Sequence, residues 1–291
     1  MVDDAAHPRV RGARRLHAAA GRRRTGRFLA EGPQAVAEAL AVPGVVVEVF
    51  ATAERLAADP SLRPAVAGRG LGLHVVSDRV LRTLAETTSP QGVVAVCHDV
   101  TVGLTEVLAA QPRLLVVLAG VRDPGNAGTI IRTADAAGAD GVLLLTGSVD
   151  PLGGKCVRST VGSLFHLPVS PGHGVDVLDT LRGEGLAVLA ADGEGSADLY
   201  EVAGTGRLAG PTAWVVGNEA HGLDASVLDR ADAVVRVPLF GPAESLNVSV
   251  ATALCLYASA VAQRRGWAAR APAHAGAVDG AAGSDQPRPG F

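Results

Sequence analysis

The chain has 291 residues, 48% of them hydrophobic and 19% charged, long enough to bury a substantial core and to form two units. Aromatics are only 3%, so that core is expected to rest on Val, Leu and Ala. Cys97, Cys156 and Cys255 are isolated, with no paired-cysteine motif nearby, which argues against a zinc site or a disulfide framework and fits a reducing compartment.

In chain order, residues 1–20 read as a flexible basic arm. Residues 1–30 hold eight arginines against Asp3 and Asp4, whereas the whole chain stands at −3, so the basic end sits on an acidic body. This asymmetry points to an anionic partner met by the N-terminal end. A solvated tail and a transit peptide are the alternatives; the second is disfavoured because the stretch lacks serine and carries two acids. Arginine count alone means less, because Lys155 is the chain's single lysine and the bias resembles that of a GC-rich coding sequence.

From Phe28 an α/β pattern begins. "RFLAEG" reads as a strand, "GPQAVAEAL" as a helix with Pro33 in its first turn, and residues 44–51 and 73–77 as strands. Ser77 is placed to cap a helix running through Ala85, and residues 92–97 close a first unit assigned to 21–98. A linker over 99–112 leads to a second unit over 113–267, with strands expected at 114–119, 141–145, 164–169, 186–191, 213–217 and 233–238. Helices are expected at 127–137, 176–182 and 225–230, and a last one after Leu246. Short apolar runs alternating with helices indicate a parallel sheet covered on both faces. The stretch Leu246–Ala262 is interrupted by Asn247, Ser249, Thr252 and Ser259, so it reads as a buried helix, not a membrane span. Residues 268–291 are rich in Ala, Gly and Pro and read as disordered. No signal peptide is apparent, and a cytoplasmic protein without membrane or metal partners is expected.

The stretch "DPGNAGTIIRTADAAG" (123–138) joins two of the expected strands. Gly120 and Gly125 have the first spacing of a P-loop, but Asn126 and Ala127 stand where Lys and Ser/Thr are needed. Gly125 and Gly128 supply half of a dinucleotide fingerprint, which leaves that reading weak. Ala127, Ile130, Ile131, Ala134 and Gly138 form one helical stripe expected to face the sheet, which turns Arg132 away from it toward solvent or a cleft. Two later stretches, "WVVGNEAHGLD" and "VPLFGPAESLNVSVATAL", also place Gly, Asn, Glu or Ser at strand ends, where ligands bind in open α/β sheets.

Together these three stretches resemble the SpoU/TrmH branch of the SPOUT RNA methyltransferases, over roughly residues 113–265. "KCVRSTVGSLFHLPV" is similar to a further stretch of that family, with Thr160 where serine is common, and "GRRRTGRFLAEG" resembles the small substrate-binding domain of its two-domain members. The resemblance implies an α/β fold in which a parallel-sheet SPOUT domain, ending in a C-terminal trefoil knot, follows a small α/β RNA-binding domain. It implies a homodimer and S-adenosylmethionine, held by backbone groups at Gly217, Val237 and Leu246, with Ala191 as a fourth position. The implied reaction is methyl transfer to a ribose 2′-oxygen, on ribosomal RNA in preference to transfer RNA. The two-domain form resembles ribosomal RNA enzymes, including those of the thiostrepton/nosiheptide-resistance type. A transfer-RNA methyltransferase and an inactive RNA-binding protein remain as alternatives, and a nucleotide-dependent oxidoreductase is more distant.

Within that reading Arg132 is credited with activating the hydroxyl. A guanidinium is effectively always protonated, so gripping a phosphate or stabilising charge on the oxygen suits it better than acting as a base. Asn126 is expected to orient Arg132 or the ribose, Glu219 to hold Arg132 or Asn126 in place, and Ser245 and Asn247 to order the last loop, with Asn247 equally suited to plain helix capping. Arg22, Arg23, Arg24 and Arg27 are expected to hold RNA through phosphates. His221 reads as a surface histidine and His166 as a packed one.

Overall fold

Apolar strands that alternate with helices assemble here into two sheets, seen in a computed structural model that describes residues 2–218 and 222–268. The first unit runs α1 (Pro8–Arg14), α2 (Ala19–Thr25), β1 (Arg27–Glu31), α3 (Pro33–Ala41), β2 (Val46–Thr52), α4 (Ala53–Ala58), α5 (Leu62–Ala67), β3 (Gly72–Val76), α6 (Asp78–Leu84) and β4 (Val93–His98). Its sheet has the order β1-β4-β2-β3, with β4 antiparallel to both β1 and β2 and β3 parallel to β2. Ser77 caps α6 as expected, its hydroxyl accepting from Val80 N–H.

Residues 2–20 do not form a mobile arm. It carries α1, and Val10, Ala13 and Leu16 are buried against Val76, Leu81 and Leu84. Their spacing by threes puts one apolar edge on a helical segment, which the surrounding arginines obscure. Val2 also bridges to Val76 at the edge of the sheet.

The second unit runs α7 (Leu104–Ala109), β5 (Leu114–Leu118), α8 (Pro124–Ala137), β6 (Gly141–Leu145), α9 (Gly154–Thr160), β7 (Val169–His173), α10 (Val177–Gly183), β8 (Ala187–Ala191), β9 (Ala197–Asp198), α11 (Leu199–Gly204), β10 (Thr212–Val216), α12 (Ala225–Leu228), β11 (Ala233–Arg236) and α13 (Val248–Ala268). Its seven strands are ordered β7-β6-β5-β10-β8-β11-β9, and every pairing is parallel. Parallel strands must be covered on both faces, and the central β5 and β10 are buried at every residue. Trp214 of β10 is fully buried, and its indole N–H donates to Ser259 Oγ of α13 at 2.9 Å, which satisfies a donor that burial would otherwise strand.

Three expectations fail here. The 99–112 segment is not plain linker, because α7 forms within it and buries Val107. The strand expected over 164–169 is not formed: Ser163–Phe165 makes a 3-10 turn, and β7 begins only at Val169. Leu164 and Leu167 are buried three residues apart, a helical rather than a strand spacing, and Pro168 has no N–H to give a ladder. On α8, Ala127, Ile130, Ile131 and Ala134 face the core, whereas Gly138 is the exposed left-handed cap (φ 71°) and Ala137 completes the stripe. Of the tail expected over 268–291, Ala268 ends α13 and residues 269–291 lie outside the described residues.

The units share a seam. Phe28 of β1 stacks on Phe165 at 6.1 Å, and one apolar cluster runs from Phe28 and Val36 through Ile131 and Leu164. Arg158 of α9 donates to Glu31 of β1 at 2.8 Å, where the carboxylate is buried. Gly162 has φ 100°, and a Cβ there would lie 2.5 Å from Glu38 Cγ of α3, so the chain can turn at this point only without a side chain.

Candidate active site

Outside the carboxyl ends of β8, β10 and β11 lies a cleft of about 620 Å³. Ala191, Gly217, Val237 and Leu246 all line it, so four backbone positions widely separated in sequence converge there. Gly217 ends β10 where the chain folds back on itself: Asn218 N–H donates to Gly222 O at 3.2 Å and Gly222 N–H to Asn218 O at 2.9 Å. A Cβ on Gly217 would sit 2.5 Å from Gly222 O, so only glycine permits this approach. Asp192 braces the same wall, its N–H donating to Val235 O at 3.0 Å and its carboxylate accepting from Glu194 N–H at 3.0 Å. Asp192, Glu194 and Glu244 face the cleft against Arg236, a negative balance that favours a cationic ligand.

At the rim, α8 meets α13. Asp123 caps α8, accepting from Asn126 N–H at 2.9 Å, and Pro124 follows at the first helical position. Lys155 donates to the other Asp123 oxygen at 2.8 Å, and that hydrogen bond, with the one from Asn126 N–H, holds the carboxyl below its usual range. Asn247 uses both ends of its amide. Its oxygen accepts from Ser249 N–H at 2.9 Å, which caps α13, and its Nδ2 donates to Asn126 Oδ1 at 3.0 Å. Capping and a rim contact are therefore both true of Asn247. Ser245 lies on the exposed loop 239–247 and lines the cleft.

Arg132 is exposed, and among the described residues it has no ion pair. It lies six residues beyond Asn126 on α8, about 9 Å along the axis and about a third of a turn round, so the two are not side by side. Glu219 and His221 lie outside the described residues. Sequence reasoning passed over Asn218, whose Nδ2 donates to Gly120 O at 3.1 Å and ties the ends of β5 and β10 together. Its signal was the Gly-Asn pair at a strand end.

The four arginines chosen for RNA do not behave alike. Arg23, Arg24 and Arg27 are exposed, as are Arg11, Arg14 and Arg15. Arg22 is buried, at 7% exposure, donating to Asp150 at 2.7 and 3.0 Å and to the carbonyls of Leu16 and His17 at 2.8 Å. All its donors face protein, so it braces the seam and is not a phosphate contact.

His166 is not a packed histidine but a second brace. Its Nδ1 lies 3.0 Å from Asp135 of α8 and its Nε2 3.1 Å from Glu38 of α3. A neutral imidazole has one N–H and satisfies one such partner; the imidazolium satisfies both. The hydrogen bond to Asp135, aided by Glu38 and opposed by burial, raises its pKa. Burial pushes all three cysteine thiols up to about 12, which leaves them unreactive. Among the described residues, no group of three or more His, Cys, Asp or Glu side chains is arranged to hold a metal, and no helix is long and apolar enough to cross a membrane.

Comparison with known proteins matches residues 113–257 to the SpoU rRNA Methylase family and residues 7–95 to an MRM3-like substrate binding domain. The chain is 37% identical over 257 residues to the 23S rRNA (guanosine(2553)-2′-O)-methyltransferase RlmP of Bacillus subtilis, covering 88% of this chain and 98% of the relative. It superposes on an AdoMet-bound rRNA methyltransferase from Sinorhizobium meliloti with a TM-score of 0.78 and 31% identity, over 89% of this chain and 96% of the other. The SpoU methyltransferase AviRb from Streptomyces viridochromogenes, in complex with AdoMet, gives a TM-score of 0.78 at 28% identity, over 89% of this chain and 98% of that one.

Proposed function

Because this chain belongs to the SpoU rRNA methylase family, we propose that it is an S-adenosylmethionine-dependent RNA 2′-O-ribose methyltransferase acting on ribosomal RNA. The observation that carries the reading is the convergence of Ala191, Gly217, Val237 and Leu246 on one cleft outside the strand ends. The cleft fits the cofactor on its own chemistry. Gly217 leaves room for close approach to backbone groups, and the carboxylates of Asp192, Glu194 and Glu244 suit a ligand carrying sulfonium and ammonium charge. When bound, the cofactor supplies an electrophilic methyl group whose bond to sulfur breaks as a bond to the ribose oxygen forms.

The chain's own part is to hold the ribose in line and to manage the proton lost from its hydroxyl. Holding the acceptor at near-attack distance accounts for much of the acceleration in such displacements. Asn126, fixed through Asn247, presents an amide at the rim for the ribose. Arg132 grips the neighbouring phosphate and stabilises negative charge on the oxygen as its proton leaves. Glu219 orients the first two, and Ser245 orders the loop over the cleft. In this reading the exposed Arg23, Arg24 and Arg27 hold RNA phosphates on the first unit.

The same reading makes the protein a cytoplasmic homodimer. Support for a second copy comes from α13, where Val250, Tyr257 and Val261 form an exposed apolar stripe, and from Phe240, 91% exposed on the loop before it. It also threads the chain after β11 through a trefoil knot; residues 237–246 lying against the ends of β8 and β10 are in keeping with that path. The deciding experiment is transfer of labelled methyl from S-adenosylmethionine to total RNA, followed by mapping of the labelled nucleotide. Absence of label in every RNA fraction would overturn the reading.

A further inference from the structure

Two cavities lie side by side along the carboxyl edge of the large sheet. One is the donor cleft at β8, β10 and β11. The other, of about 480 Å³, opens over the ends of β5, β6 and β7, and the two share Asn218 and Gly222 after β10. A displacement at a ribose oxygen requires the acceptor nucleotide beside the donor, so the base on that ribose has to lodge within a nucleotide's reach of the first cleft.

Two opposite charges face the second cavity without meeting. Arg122, on the loop after β5, and Asp224, before α12, both line it and are both exposed. Asp224 holds the capping position of α12 but accepts no hydrogen bond from its backbone. Among the described residues, neither side chain has an ion pair or hydrogen bond. A planar fork of donors and a pair of acceptor oxygens thus line one hollow without pairing, beside the cleft at β8, β10 and β11.

The part of the lining made by Thr146 and His173 is polar and fixed. Ser170 Oγ donates to Val102 O at 2.8 Å, so its lone pair accepts from His173 Nε2–H at 2.9 Å, which leaves His173 Nδ1 as an acceptor. Burial lowers the His173 pKa, so the ring stays neutral and keeps that arrangement at neutral pH. Thr146 donates its N–H and its hydroxyl to His173 O at 2.8 and 3.1 Å, locking the end of β7 to that of β6.

We propose that this second cavity receives the base of the target nucleotide and reads it as guanine. Arg122 donates to O6 and N7, and the Asp224 carboxylate accepts from N1–H and the N2 amine. Guanine alone among the four bases offers two adjacent acceptors beside two adjacent donors. Adenine turns a donor toward Arg122 at N6 and an acceptor toward Asp224 at N1. The pyrimidines lack the N7 acceptor. The inference rests on the methyltransferase reading for its choice of ligand, and it identifies the substrate base.

The test uses the full chain saturated with S-adenosylmethionine and titrated with guanosine, inosine and adenosine 5′-monophosphates, alongside mapping of the methylated nucleotide in RNA. Guanosine monophosphate is expected to bind saturably, inosine monophosphate more weakly for want of the N2 amine, and adenosine monophosphate not measurably. Arg122→Ala and Asp224→Asn should each weaken guanosine monophosphate by about tenfold or more. Affinity for S-adenosylmethionine should stay within about twofold, because neither residue lines the donor cleft. Equal binding of guanosine and adenosine monophosphates, no guanosine monophosphate binding, or indifference to both substitutions overturns the assignment. Methylation mapped to a nucleotide other than guanosine overturns it while leaving the methyltransferase reading intact. Guanosine monophosphate binding through Arg122 and Asp224 without methylation of any RNA does the reverse.

Discussion

Asn247 Nδ2 donates to Asn126 Oδ1 at 3.0 Å, joining residues 121 positions apart in sequence beside the cleft at the ends of β8, β10 and β11. One amide thus caps α13 through its oxygen and holds the start of α8 through its nitrogen. Asn247→Asp keeps the cap and removes the donor, whereas Asn247→Ala removes both. The alanine variant is expected to lose about 1 kcal/mol of stability, the usual worth of a cap, and the aspartate variant little. Both should lose methyl transfer by about tenfold or more. Thermal melts set beside single-turnover rates check this; an aspartate variant with wild-type turnover would show that the link to Asn126 does not matter.

Arg132→Ala should abolish methyl transfer, a loss on the order of a hundredfold or more, and leave S-adenosylmethionine affinity nearly unchanged. Arg132 is exposed and has no ion pair among the described residues, so its removal disturbs no packing. Isothermal titration with the cofactor and a labelled-methyl assay separate the two effects. Wild-type-like turnover in this variant would remove Arg132 from the mechanism.

The arginines near the N-terminus should divide into two classes. Arg22→Ala strips four hydrogen bonds from a buried guanidinium and leaves Asp150 without its partner, so it should destabilise the fold by about 3 kcal/mol. Arg23→Ala/Arg24→Ala touches exposed side chains and should leave the melting temperature within about 2 °C. RNA affinity in the double variant should fall, with a shallower dependence on salt. Denaturant titration and filter binding at several ionic strengths distinguish the classes. Unchanged RNA affinity in the double variant removes these side chains from the RNA interface.

His166 carries a pH dependence with a definite sign. Its pKa is raised above an ordinary value of 6.5 in the folded chain, chiefly by Asp135 and further by Glu38. A raised folded-state pKa means that the imidazolium stabilises the fold fully below the unfolded-state value, and the contribution fades as pH rises through the folded-state value. Stability compared at pH 5.5 and 8.5 should therefore drop more for the native chain than for His166→Gln. Parallel pH profiles for the two proteins would assign the dependence elsewhere.

The carboxyl-edge cleft was legible in the sequence because strand ends that meet ligands are punctuated by Gly, Asn and Ser in place of apolar residues. Gly217 is the plainest case, since its closeness to Gly222 leaves no room for a side chain. The seam was not legible. Nothing in "GRRRTGR" distinguishes Arg22 from Arg23, because what buries Arg22 is Asp150, 128 positions away. The same holds for His166, whose two carboxylate partners come from different units. The strand misplaced over 164–169 has a local cause: an apolar run was read without giving weight to Pro168 or to the spacing of Leu164 and Leu167. Of the missed helices, α1 is obscured by its arginines, and α2, α4, α5, α7, α9 and α11 span only one or two turns, too few to display a clear period.

The seam has a consequence for how the molecule comes apart. Arg22 to Asp150, Arg158 to Glu31 and His166 between Glu38 and Asp135 all cross from one sheet's unit to the other, around a shared apolar cluster. Opening that seam would expose Phe28 and Leu164 and strand the buried Glu31 carboxylate without its guanidinium. Neither half can loosen first without those losses falling on the other. The two units should therefore melt together as one cooperative block, in a single calorimetric transition.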